Sequence, residues 1–469
     1  MTRPSPSTLA ADQLASDPRV VQARALLAAA LRDAQSSLAG VRPADPARAE
    51  QVETVYDQFA AVRGGALPLK YLGSGLGKGA LVELLDGSVK YDLINGIGVH
   101  GLGHSDPGLL DAGITAALSD CVMQGNLQQN AESKDLCDDL VELANQHGAR
   151  LNHCFLTTAG SMANENAIKI IFQKHAPATH LLAFARNFCG RTLAMSAITD
   201  KHLYRDGLPE AFQVHYLPFY KPADKQKSID SALKHLHLHL RRYPGKIAGA
   251  MFEMVQGEGG YHPGDTDFFR ALMAECRAHN VAVLVDEVQS FGRTSQPFAF
   301  QHYGLDELVD VVSVGKMSQV CATLFTDHYV PRPGLISQTF TGSTAQIFAA
   351  REVLARIRAE GWFGESGLNM TVRGWFASRF VDLHHKHPGL IARELYGLGA
   401  MIGFEVFGGD PEKTKAVMSR MYELGVIAFV CGANPLRLRF LPPVGHLNEA
   451  DVDAVMAIVE QALLDVAAG

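Results

Sequence analysis

No two cysteines of this chain are spaced as Cys-x-x-Cys. The seven, Cys121, Cys137, Cys154, Cys189, Cys276, Cys321 and Cys431, are scattered and odd in number. They read as reduced thiols, mostly buried as small apolar residues. No uninterrupted apolar stretch reaches the ~18–20 residues that cross a bilayer. The one apolar run near the N-terminus, Ala25 to Leu31, lies between Arg24 and Arg32 without a cleavage pattern. It is not read as a signal peptide, and Asp12 and Asp17 argue against a transit peptide. Basic residues are no excess either: 42 Lys and Arg face 49 Asp and Glu, a net charge of −7 with a pI near 6.2. That leaves no electrostatic footprint for nucleic acid. Internal repeats and low-complexity tracts are missing too. No membrane and no nucleic-acid partner is expected, and the default location is cytoplasmic.

What is present is a chain of 469 residues, 47% hydrophobic and 19% charged. That is too long for one ordinary domain and has the balance of a globular protein with a large core. Residues 1–66, rich in Ala, Pro, Asp and Arg, read as an N-terminal extension with an amphipathic helix near 19–38, packed on the body or on a partner subunit. Residues 67–345 alternate short apolar runs with longer mixed segments: Leu181–Phe184, Ile247–Phe252, Val281–Val285 and Val309–Val314. Such β-rich runs with helices between them suggest βαβ units and a largely parallel sheet. Residues 346–469 read as a smaller α+β domain: a helix from Phe348 to Glu360, strand-like Leu436–Leu441 and a helix over 448–466.

Two patterns are decoys. Gly96-Ile97-Gly98-Val99-His100-Gly101 matches GxGxxG after a strand-like segment, but Leu102 to Pro107 continues as a loop where an NAD-dependent dehydrogenase needs a helix. His235, His237 and His239 alternate with leucines and would share one face of a strand. The Arg241-Arg242 pair that follows suits a helix C-terminus, so a helix is expected, on which these residues do not converge on a metal.

The segment with chemistry is Val281–Thr294, VAVLVDEVQSFGRT. Five apolar residues deliver Asp286 to the end of a buried strand, where ligands bind in open α/β sheets. A carboxylate there needs a cationic partner, because an unpaired buried charge is costly. Thirty residues on, DVVSVGKMSQ carries Lys316 near the end of a second strand. A desolvated amine of lowered pKa at such a place suits a Schiff-base lysine. Upstream, Thr158-Ala159-Gly160-Ser161 opens a helix whose free N–H groups suit a phosphate. Singly, each has an ordinary structural reading; together they are the parts of a pyridoxal 5′-phosphate site.

From about residue 70 to 465 the chain resembles the class III (ω-amino) aminotransferases of PLP fold type I. The motifs stand in the family's order: INGIGVHGLGHSDP, TAGSMANENAIK, NFCGRT, FEMVQGEGG, VLVDEVQSFGRT, VGKMSQVC, QTFTG and LRFLPP. The resemblance implies an α/β large domain with a mostly parallel seven-stranded sheet, and a smaller α+β C-terminal domain. It gives Asp286 the pyridine nitrogen, Gln289 the ring hydroxyl, Phe188 and Val288 the two ring faces, and Lys316 the aldehyde. Gly160, Ser161 and, from the neighbouring subunit, Thr339 would hold the phosphate. Arg191 would bind a substrate carboxylate, and Glu258 with Arg439 would form a switchable pair, masked for an ω-amine donor and open for a dicarboxylate. Cys189, Met254, Met162, Tyr396 and Gly342-Ser343-Thr344 depart from the family's usual residues without removing a catalytic group. The KMSQVC, TFTGST and LRLRFLPP segments look most like the lysine ε-aminotransferase branch.

The reaction so implied is a ping-pong transamination between an amine donor and a keto acid such as 2-oxoglutarate, in a homodimer with shared active sites. An aminomutase or a decarboxylating transaminase of the same fold is the near alternative. A non-catalytic PLP-binding protein or a dehydrogenase is the distant one.

Overall fold

The computed structural model describes residues 8–120 and 122–469. Cys121 lies outside them. Its centre is a seven-stranded sheet in the order His153–Thr157, Cys321–Phe325, Val311–Val314, Ala282–Asp286, Ile247–Phe252, His180–Phe184, Gln213–Leu217. Only Cys321–Phe325 runs antiparallel to its neighbours. The four apolar runs read from sequence are all strands of this sheet. They are continuous rather than alternating because both faces are covered, as a parallel sheet requires. Ala282 and Leu284 pack into one core with Ile168, Ile170 and Ile171 of the helix Gly160–Lys174. Val283 and Val285 pack into the opposite core with Phe268, Phe269 and Leu272 of the helix Thr266–Ala278.

This topology puts the carboxyl ends of six strands on one edge. Register fixes the neighbours there: Asp286 lies opposite Ser313, Val314 opposite Ala322, and Thr157 opposite Cys321. The residues that leave those ends are therefore brought together although more than 150 positions separate them in sequence.

The smaller sheets are organised differently from the contiguous reading. Gly73–Lys78, Leu81–Leu84 and Val89–Asp92 form an antiparallel set, and Val426–Ile427 joins it parallel to Val89–Asp92. One small sheet thus draws strands from both sides of the boundary at 345/346. Another contains Ile402–Phe404, Leu436–Phe440 and Phe429–Gly432. The helix expected from Phe348 begins at Thr344, where the Ser343 hydroxyl accepts the N–H of Gln346 at 3.1 Å. The last helix runs Glu449–Ala468.

In the N-terminal extension Pro18–Gln35 is a helix, as read, and Ala49–Arg63 is a second one. The first docks on its own chain: Arg24 Nε donates to Asp111 at 2.7 Å, and the Gln35 amide donates to the carbonyls of Gly77 and Ser105 at 2.8 and 2.9 Å. The HLHLHL segment lies in the helix Lys225–Arg242. The GxGxxG segment forms one short turn with Gly96 and Ile97 in the left-handed region, not a dinucleotide loop. Among the described residues no helix is long and apolar enough to cross a membrane.

Candidate active site

At the carboxyl edge of the large sheet lies a cavity of about 400 Å³. Gly160, Ser161, Phe188, Asp286, Val288, Gln289 and Lys316 all line it. A larger cleft of about 550 Å³ sits at the amino ends of the strands, beside Val281 and Val309, and holds none of the expected residues. Ligand chemistry in open α/β sheets belongs to the first position, not the second.

The walls are close because glycines make them so. A Cβ on Gly160 would stand 2.7 Å from Val288 Cγ1, and one on Gly315 would stand 2.9 Å from Cys321 Sγ. The helix that Gly160 opens has no side-chain cap on Ala159, so its first N–H groups face the cavity end unclaimed by a cap. Lys316 itself takes a left-handed backbone, φ +56°, in the tight turn Lys316–Ser318 that leaves the strand Val311–Val314. A non-glycine residue held there is strained, and such strain gathers where a side chain must be aimed.

Electrostatics follow from burial. Lys316 is pushed down to about 8, mainly because burial penalises the ammonium, with the charges of Arg439 and Arg293 adding to it. Asp286 is raised by burial, although Asn164 Nδ2 and the N–H of Val288 donate to it at 2.8 and 2.9 Å. Glu253, on the next strand end, is pushed up to about 8 by burial and by Asp286. It accepts the N–H groups of Gly257 at 2.8 Å and Phe188 at 3.3 Å. The cavity therefore joins an amine shifted towards its neutral form, a carboxylate short of a cation and a set of free helix N–H groups. That set fits pyridoxal phosphate, which has an aldehyde, a protonatable ring nitrogen and an anionic end.

The remaining expected residues divide. Arg439 is fully buried and pairs with Glu258 at 2.6 Å, while its Nη1 reaches Gln289 Oε1 at 3.5 Å. Thr339 does not line the cavity of its own chain; it is exposed, with its carbonyl against Gly125. Arg191 is also exposed and outside the cavity, stacked 4.1 Å from the ring centre of Tyr204 and donating to its hydroxyl at 3.0 Å. Sequence reasoning missed Asn164 and Glu253. Both stand inside quoted motifs, and the signal was polar residues spaced to fall at a strand or helix end facing Asp286.

Comparison with known proteins agrees with this geometry. The sequence model described as "Aminotransferase class-III" matches residues 73–463. Acetylornithine aminotransferase from Bacillus subtilis is 28% identical over 392 residues, covering 81% of this chain and 91% of the relative. Its counterpart from Methanocaldococcus jannaschii is 29% identical, over 83% and 93%. Among solved structures, lysine aminotransferase from M. tuberculosis in its internal aldimine form superposes with a TM-score of 0.77 at 23% identity, over 88% and 99% of the two chains. An aminotransferase from Bacillus anthracis gives 0.79 at 19% identity, over 89% and 99%. These structural likenesses carry the fold, which is that of PLP fold type I. The family match spans well over half of the chain, residues 73–463 of 469, which therefore belongs to the class-III aminotransferases, enzymes that depend on pyridoxal phosphate.

Proposed function

We propose that this enzyme moves the ω-amino group of an amino acid or a primary amine to a keto acid such as 2-oxoglutarate, in two half-reactions that share one site. The observation that carries the reading is the burial of Lys316 in the same cavity as Asp286. Pyridoxal phosphate, when bound, supplies an aldehyde to take up the amine and a ring to accept electrons from the substrate carbon.

The chain's own groups do the rest. Lys316 Nζ would hold the aldehyde, give it up to the incoming amine, and then carry the proton taken from the substrate carbon. Its lowered pKa keeps a share of the amine unprotonated near neutral pH, which both tasks need. Asp286, aimed by Asn164, would keep the ring nitrogen protonated, and that nitrogen would supply the cation the carboxylate lacks. Gly160 and Ser161 would hold the phosphate, Gln289 the ring hydroxyl, and Phe188 and Val288 the ring faces.

Glu258 and Arg439 give the site two electrostatic states. Closed, as the ion pair, it presents no net charge to an amine donor. Open, it presents a guanidinium to a carboxylate of the keto acid. Arg191 would act on substrate only by leaving Tyr204.

Thr339, exposed and outside its own cavity, supports its donation to a partner subunit in a homodimer. We place the enzyme in the cytoplasm and divide it into an extension (1–66), a large domain (67–345) and a small domain (346–469), with the strands of residues 73–92 crossing to the small one. The names acetylornithine and lysine aminotransferase among the relatives support an amino-acid donor, and a place near the lysine branch is part of the proposal.

The test is to add lysine, ornithine, 4-aminobutyrate and simple amines singly to the holoenzyme while following its visible absorbance. One donor should bleach the band and 2-oxoglutarate should restore it. A band that recovers without any keto acid would point to a mutase, and carbon dioxide released as the band bleaches would point to a decarboxylating transaminase.

A further inference from the structure

Glu258 stands at the tip of a hairpin in which Val255–Gln256 pairs with His262–Pro263. Arg439 stands on a different element, the strand Leu436–Phe440. Two contacts from the small sheet hold the tip. The N–H of Gly432 donates to the Glu258 carbonyl at 2.9 Å, and Arg437 Nη1 donates to the Gly260 carbonyl at 2.8 Å. Gly432 pairs with Leu436, the residue before Arg437, so both contacts come from one strand pair. Alternation along a strand puts Arg437 on the same face as Arg439, two residues on. One strand therefore carries the arginine of the pair and grips the loop that carries its acid.

Arg437 is built into place. Its side chain is buried, and its guanidinium lies over the ring of Tyr396, 3.4 Å from the centre, where a planar cation is attracted. Tyr396 is fixed in turn by its backbone, whose N–H and carbonyl both bond Gly403, at 2.8 and 3.0 Å. Nη1 gives its second N–H to His262 Nε2 at 3.1 Å; burial and this guanidinium push that imidazole down to about 4, so it is neutral and accepts. Nε meets Glu405 Oε2 at 3.4 Å. Gly260 has φ +122°, and a Cβ there would stand 3.2 Å from Arg437 Nη1. Glycine suits both demands.

We propose that Arg437 is a positioning residue for the Glu258–Arg439 pair: seated on Tyr396, it holds the hairpin tip so that Glu258 covers Arg439 until a dicarboxylate arrives. This rests on the two electrostatic states of the proposed function and deepens them by naming what sets their balance. Tyr396, one of the departures from the family's usual residues, takes part as the seat of the guanidinium.

Glutarate, a dicarboxylate with no keto group, reports on the open state when it is titrated into the holoenzyme calorimetrically. Arg437→Leu should tighten glutarate binding about tenfold, the scale of one hydrogen bond from a charged group. Loss of a positive charge by itself would weaken glutarate binding, so the sign of the change separates positioning from plain electrostatics. Tyr396→Leu, which removes only the seat, should move the affinity the same way, and Tyr396→Phe, which keeps a ring there, should leave it as in the wild type. In a Glu258→Ala background Arg437→Leu should bring no further gain, because the acid it positions is gone. Amide hydrogen exchange over residues 257–263 and 429–434 should quicken in both leucine variants, and unchanged exchange would overturn the hold on the tip. A Glu258→Ala enzyme that gains no glutarate affinity would overturn the two-state reading and the inference with it. A gain there, with none in Arg437→Leu or Tyr396→Leu, would overturn the inference alone.

Discussion

Arg439 Nη2 lies 2.6 Å from Glu258 Oε1, with the arginine side chain wholly buried and the glutamate one quarter exposed. A buried guanidinium whose partner keeps a quarter of its side chain in solvent is an asymmetric pair: the acid has water to move towards and the base has none. Glu258→Ala should therefore raise KM for the amine donor severalfold while leaving or lowering KM for the keto dicarboxylate, since Arg439 stays open to a carboxylate. Stability should fall as well, by about 3–5 kcal/mol, because the remaining charge is buried and unpaired. Steady-state kinetics on both substrates check this, and a parallel rise in both KM values contradicts it.

Asn164 donates to Asp286 at 2.8 Å and to the carbonyl of Cys189 at 3.0 Å, so it aims the carboxylate from a fixed point. Asn164→Ala should weaken pyridoxal phosphate binding about tenfold or more, as loss of a buried hydrogen bond to a charged group implies. Titration of the apoenzyme with the cofactor measures this, and unchanged affinity would remove Asn164 from the site.

Glu253 makes a pH prediction with a definite sign. Its carboxyl is pushed up to about 8 in the folded chain, against about 4.5 ordinarily. Between these values the folded state keeps a proton that the unfolded state has lost, so stability falls as pH rises through the window. Glu253→Gln should flatten that fall in the apoenzyme, as melting temperatures across pH 5 to 8 should show. Identical slopes for the two proteins would contradict the assignment.

Thr339 sits outside its own cavity, which makes subunit mixing decisive. In a hybrid of Lys316→Ala with Thr339→Ala chains, one of the two sites receives both native residues if the threonine crosses the interface. That hybrid should show about half the wild-type activity, following from the two-fold symmetry of such a dimer. A hybrid without appreciable activity would keep Thr339 within its own chain.

The large sheet could be read from the chain because both its faces are buried, which writes strands as unbroken apolar runs such as Ile247–Phe252. Asp286 and Lys316 could be read because each closes such a run. The pairing of Val426–Ile427 with Val89–Asp92 could not, since a two-residue strand has no periodicity and its partner lies over 300 positions away. The helix Ala49–Arg63 was hidden in a segment whose alanines and charges give little contrast between faces; Tyr56 is its only buried residue. Arg191 shows a further limit: its motif is local, but its direction is set by Tyr204, outside that motif. Glu253 and Asn164 gain their meaning from Asp286, which only the folded sheet brings to them.

The central claim is that Lys316 is the group on which turnover depends. The direct measurement is the visible spectrum and multi-turnover rate of Lys316→Ala saturated with pyridoxal phosphate, beside the wild type. The account predicts a shifted cofactor absorbance and loss of turnover, with Asp286, Asn164 and the helix start still retaining the cofactor. A variant with the wild-type spectrum and normal turnover would contradict it.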